Sequence, residues 1–147
     1  MELVIGGPLG MALVVALLLV GLGASLVSYL EFRYGIGTPL CRPGTKVDCY
    51  RVYSMPQAWL LGYHLSQLAP LYFTMLLSLS LAWVLTGNGL ALKTLSFVAL
   101  ESAFLALYLI YLMVKEAKAL CLYCLAMHSS IVLVAVLTHR VFLYAGM

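Results

Sequence analysis

Four cysteines in a chain of 147 residues fall into two pairs. Cys121 and Cys124 open the last long apolar run, as Ala119-Leu120-Cys121-Leu122-Tyr123-Cys124, and Cys41 and Cys49 lie in the only long polar loop. A Cys-x2-Cys pair in the first turn of a helix is a redox-capable dithiol, because unpaired backbone N–H groups there lower a thiol's pKa. A second pair placed to exchange with it, beside a lipid phase, suits electron transfer between protein thiols and a membrane-soluble carrier. Other chemistries fit less well. Cys41-x7-Cys49 is poorly spaced for zinc and has no histidine close by in the loop, so no metal is expected. Four cysteines could also form two inert structural disulfides. Free thiols at a helix mouth and in a loop are hard to explain as packing.

The helix that carries Cys121 and Cys124 also sets direction. At about 100° per residue, Cys121, Cys124 and His128 fall at roughly 0°, 300° and 340°, one stripe, with Tyr123 pointing away. A histidine one turn deeper on that stripe could hydrogen-bond a carbonyl oxygen of a bound ring, or pass a proton to it. The competing assignment is a buried histidine bonded to a neighbouring helix, although polar groups inside membranes tend to be functional.

The elements that must position these residues are membrane helices. Of the residues, 65% are apolar and 9% charged, against about 25% charged in a soluble domain. Four apolar spans stand out, roughly Pro8–Leu30, Leu68–Leu85, Thr94–Val114 and Leu120–Leu137 or slightly beyond. Each approaches or exceeds the ~20 residues that a helix needs to cross the hydrocarbon core. None alternates as a barrel strand would, which leaves an all-α four-helix transmembrane bundle as a single domain over residues 1–147. The first span lacks a basic leader and runs too long for a cleavable signal. Turns are expected at Thr86-Gly87-Asn88-Gly89 and Lys115-Glu116-Ala117-Lys118. The cysteine-bearing loop is long, about 31–67. Within it Ser54-Met55-Pro56-Gln57 reads as a capping box, so a short interfacial helix is expected over Ser54–Tyr63, with Trp59 and Tyr63 at headgroup level. An even number of spans places the long loop and the last turn, hence all four cysteines, on one membrane face.

The four-span topology, Cys41-x7-Cys49, the following Tyr50-Arg51-Val52-Tyr53-Ser54, the capped loop helix and Cys121-x2-Cys124 at the mouth of span 4 together resemble the vitamin K epoxide reductase family, including its bacterial and archaeal disulfide-forming members. A periplasmic quinone-linked disulfide oxidase family is the runner-up, but it carries its Cys-x2-Cys in the first loop, the reverse of this order. The resemblance implies a quinone-linked thiol oxidoreductase with a quinone of the menaquinone, ubiquinone or vitamin K type. Cys124 would attack the quinone, Cys121 would exchange with Cys49, and Cys41 would take electrons from a separate thioredoxin-like protein. His128 takes the family's position for bonding the quinone's buried oxygen. The family often has serine or threonine six residues past the second loop cysteine. Here that position is Met55, and Ser54, one earlier, is the substitute. A polar side chain on span 2 often meets the other quinone oxygen; Gln67, Ser66 and His64 are the candidates, with Gln67 taken as the working assignment.

Glu101 lies about 20 Å from the Lys115 end of its helix, so a structural pair with His139 or Arg140 is expected of it rather than a redox role. Membrane lipid is an expected partner and nucleic acid is not. The cysteine side carries Arg33, Arg42, Lys46, Arg51, Lys115 and Lys118, against Lys93 and Arg140 opposite. That balance places the cysteines in the cytoplasm of a cell-membrane protein, whereas family habit places them outside. Cytosolic disulfides are tolerated in some hyperthermophiles. The alternative function class is a non-enzymatic tetraspan protein held by two structural disulfides.

Overall fold

The computed structural model describes residues 8–34, 49–56, 59–60, 62–118 and 121–145. Cys41 lies outside them, as do the Cys49 side chain and Gln57. Four long helices form: α1 (Pro8–Tyr34), α3 (Leu65–Thr86), α4 (Gly89–Leu112) and α5 (Leu122–Ala145). All four are long and apolar enough to cross a membrane. Helix α1 packs against α3 and α5, and α4 packs against the same two, so the helices close a four-cornered bundle.

Small side chains let the backbones approach, as is usual between membrane helices. Ala99, Ala103 and Ala106 line the buried face of α4. Gly21 of α1 lies so close to the Phe73 ring that an added Cβ would clash with Cε1. Buried hydroxyls return to their own helix: Ser25 donates to the Leu22 carbonyl at 2.7 Å and Thr138 to that of Val134 at 2.7 Å. That local bonding satisfies groups which lipid cannot. The outward faces carry leucines, valines and aromatics, with Leu85, Leu71 and Phe104 among the most exposed.

The α3–α4 turn falls where expected. Gly87 takes the left-handed conformation (φ 67°) and its N–H donates to the Trp83 carbonyl at 2.8 Å, while Asn88 caps α4 by accepting from the Leu90 amide at 3.0 Å. Only a glycine takes that positive φ without cost. The α4–α5 turn is less ordinary. Helix α4 passes into a π-turn, Met113–Ala117, and Lys118 reverses the chain at φ 53°.

The first loop differs from expectation in the placement of its helix. The short helix is α2, Cys49–Tyr53, and Ser54 follows it in a turn. A two-residue antiparallel ladder comes next, β1 (Trp59–Leu60) on β2 (Tyr63–His64), reversed through Gly62 at φ 85°. The residues after Pro56 are the reason: Trp, Leu and Tyr suit a strand, and Gly62 supplies the positive φ of a tight reversal. A capping box occurs at His64–Gln67, while the Gln57 half of the one expected at Ser54 lies outside the described residues. Gln67 Oε1 accepts from the His64 amide at 3.2 Å, and His64 Nδ1 accepts from the Ser66 amide at 3.2 Å. Trp59 and Tyr63 are exposed. Glu101 is exposed on α4.

Candidate functional site

Cys121 directly precedes α5 and serves as its N-cap. Its carbonyl accepts the first intrahelical bond, from the Leu125 amide at 2.8 Å, and its Sγ accepts from the Cys124 amide at 3.3 Å. A thiol sulfur thus occupies the place where a serine oxygen usually sits. The Cys121 amide donates to Met113 Sδ at 3.3 Å, so the buried methionine of the π-turn occupies the remaining side of the cap. Both cysteines are buried and both are free thiols. Hydrogen bonding from the Cys124 thiol, with help from the Cys124 and Tyr123 amides and the Tyr53 hydroxyl, outweighs burial and lowers the Cys121 pKa below its ordinary value. The amides at the helix mouth point toward this sulfur.

A polar cluster from α1 and α2 closes over this cap. Tyr53 accepts from Ser28 Oγ at 3.1 Å, donates to Glu31 Oε2 at 3.2 Å and lies 3.7 Å from Cys121 Sγ, whose thiol donates to it. Ser28, Glu31 and Tyr53 are each 5% exposed or less. Burial first, then the two neighbouring sulfurs, push the phenol upward in pKa, so the hydroxyl stays protonated. His64 holds this cluster in place. Its Nδ1 accepts from the Ser66 amide, which puts the ring proton on Nε2, and Nε2 donates to the Tyr53 carbonyl at 2.9 Å. The ring stacks on Phe32 at 3.8 Å and 10°, with Trp59 edge-on at 5.1 Å. Burial lowers its pKa, which favours the neutral ring this bonding needs.

Below the cluster a cavity of about 90 Å³ reaches into the bundle. Its polar wall groups are Ser28, Tyr53, His64, Ser66, Cys124 and His128; the rest is apolar, including Ala69, Leu109 and Met127. A second cavity, of about 190 Å³, continues between α3, α4 and α5, and His128 borders both. His128 Nδ1 is buried and has no hydrogen-bond partner among the described residues.

The structure therefore brings Cys121, Cys124 and His128 together, as their spacing predicted. It does not bring Ser54 or Gln67 to the cavity. Ser54 is exposed, and its hydroxyl lies 3.5 Å from the Arg51 carbonyl. Gln67 is occupied at the α3 cap and borders a separate outer groove. Of the three span 2 candidates, His64 and Ser66 line the cavity. Tyr53, Glu31, Ser28 and Met113 were not singled out by residue type. A tyrosine four residues past Cys49, and a lone glutamate at the end of an apolar helix, were the available signals.

Fold and site together define a four-span membrane protein with a helix-capping dithiol above an apolar cavity. Residues 12–139 match the vitamin K epoxide reductase family, and the chain belongs to it. Membership makes it an oxidoreductase of the membrane. Comparison with curated proteins returned no match.

Proposed function

We propose that the protein is a membrane thiol-disulfide oxidoreductase that takes electrons from a thioredoxin-like protein dithiol, passes them through Cys41/Cys49 to Cys121/Cys124, and delivers them to a quinone, so promoting disulfide formation. One observation carries this reading: Cys124 and His128 line the same largely apolar cavity, and His128 Nδ1 is buried without a partner among the described residues. An orphaned buried polar atom fits a ligand that brings a complementary group, and a quinone oxygen is such a group. When bound, a quinone supplies a two-electron, two-proton acceptor.

The chain's own residues do the rest. Cys124 presents its sulfur to the cavity, and His128 offers an N–H to an oxygen there. The apolar walls exclude water, which strengthens that bond. Cys121, whose thiol pKa is lowered, closes the disulfide with Cys124 and later receives the attack of Cys49. The Cys49–Tyr53 helix supports that exchange, because its last residue already touches Cys121. An even number of spans supports a common face for all four cysteines, and the six loop and helix-end cations assigned to that face favour the cytoplasm.

Quinone reduction by purified protein tests the reading. Cys124→Ser is expected to abolish it with any donor. Cys41→Ser is expected to spare reduction by a small dithiol and lose it with a thioredoxin-like donor. Equal activity of both variants with both donors would overturn the assignment.

A further inference from the structure

We propose that Tyr53 and Glu31 form a proton relay for Cys121: the thiol proton passes to the Tyr53 oxygen as the Tyr53 proton passes to the Glu31 carboxylate. Tyr53 touches the reacting sulfur and is catalytic in this sense, whereas Glu31 acts through it as a positioning residue. The proposal deepens the dithiol chemistry above and rests on it.

Geometry is the argument. A buried phenol has a thiol donating to it on one side and a buried carboxylate accepting from it on the other, at 3.7 Å and 3.2 Å. That is a chain of two hydrogen bonds with a free choice of which heavy atoms hold the protons. Ser28 steadies the phenol from the α1 side at 3.1 Å. A carboxylate this deep, 1% exposed at the end of an apolar helix, is costly to keep there for packing alone. Tyr53 cannot serve as the final base, since burial keeps it protonated. It can shuttle, receiving one proton as it gives another. After transfer its O–H points at the Cys121 thiolate, a contact that stabilises the new charge.

Protons and electrons balance as follows. When the Cys121–Cys124 bond forms, the dithiol loses two electrons and two protons. The electron pair and the Cys124 proton go to the acceptor, the Cys121 proton goes to Glu31, and the acceptor's second proton comes from water. When Cys49 reopens the bond at Cys121, Cys124 departs as thiolate and takes up the Cys49 proton; when Cys41 then resolves the Cys49–Cys121 disulfide, Cys121 departs as thiolate and Glu31 returns its proton through Tyr53. Other titratable groups also face the phenol. Cys124 lies close enough to influence its charge, and His64 meets its ring edge-on at 5.8 Å. Arg51 is exposed on its own helix.

The test is oxidation of the dithiol by diamide, which needs no quinone. Diamide takes the same two electrons and two protons, becoming a hydrazine. In full-length Cys41→Ser, Cys49→Ser protein, only Cys121–Cys124 can close. Its rate is followed by alkylation and mass spectrometry from about pH 6 to about pH 9, across the thiol range. Tyr53→Phe and Glu31→Gln are each expected to slow closure about 100-fold near neutral pH. The deficit should shrink as pH rises and hydroxide takes the proton. The double variant should be no slower than either single one, because both break the same path. Glu31→Asp should recover part of the rate. Tyr53→Phe keeps the ring and its packing, so it decides the matter even if Glu31→Gln fails to fold. Rates within about twofold of the parent, deficits that multiply, or a loss equal at every pH would overturn the relay. Because the oxidant is diamide, a protein inactive toward quinone would refute the proposed function and leave this result legible.

Discussion

Replacing His64 with alanine should release the floor of the first loop from the bundle. The ring makes three separable contributions. It caps α3 through Nδ1, a contact whose loss costs about 1 kcal/mol. It satisfies the buried Tyr53 carbonyl through Nε2, and orphaning that group costs about 1–2 kcal/mol. It stacks on Phe32, worth about 1 kcal/mol beyond area. Together these come to roughly 3–4 kcal/mol of local stability, or about a 100- to 1,000-fold rise in local opening. Hydrogen exchange read by mass spectrometry on peptides spanning residues 49–68 measures it directly. Amides of α2 and the first turn of α3 should exchange faster by up to that factor, until they reach the rate of free amides, while α4 and α5 are unchanged. His64→Asn should recover about 1 kcal/mol, since asparagine caps but cannot reach Tyr53. The same segment should loosen with acid. Burial lowers the folded-state pKa of His64 below its ordinary value, so its contribution is complete above about pH 6.5 and is lost as pH falls from there through the lowered folded value. Exchange in His64→Ala within about threefold of the parent would refute the reasoning, because even the cap alone should exceed that.

Three further outcomes follow from the geometry. In Cys41→Ser, Cys124→Ser protein, an oxidised sample should hold a Cys49–Cys121 disulfide, and peptide mapping that recovers both as free thiols would count against exchange between the loop and the helix cap. His128→Ala should slow quinone reduction by roughly 10- to 1,000-fold, the cost of one donor that strengthens in the transition state, with His128→Gln restoring part; full turnover by the folded variant would reduce His128 to a packing residue. Gly21→Ala should drive a methyl into the Phe73 ring and cost about 1–3 kcal/mol, read as a lower midpoint of thermal inactivation, and an unchanged midpoint would mean that α1 and α3 can separate freely.

The helices were legible because apolar length is written residue by residue, and a membrane leaves few alternatives for such runs. The dithiol stripe was legible for a similar reason: Cys124 and His128 sit on one continuous helix, whose period is fixed, and Cys121 is the residue that starts it. What failed was local reading where distant partners decide. A helix over Ser54–Tyr63 was expected, yet Trp59–Leu60 pairs with Tyr63–His64 as a ladder, and the next helix is capped at His64, with Gln67 as the reciprocal partner. Gln67 looked like a ligand contact because a polar group at a span start has two uses and sequence does not rank them. Glu31 marked the apparent end of span 1. Its helix runs on to Tyr34, and the carboxylate is buried by a tyrosine 22 positions later.

The contact between Tyr53 and Cys121 joins residues 68 positions apart. Synthesis runs from the N-terminus, and earlier segments are available to fold first. Glu31, Tyr53 and His64 therefore emerge while the last helix is still unmade. Their mutual bonds involve only α1, α2 and the start of α3, so the receiving surface can assemble without α5. The acidic thiol then arrives last, into a socket already built, and the chain becomes redox-competent only when its fourth helix has entered the membrane.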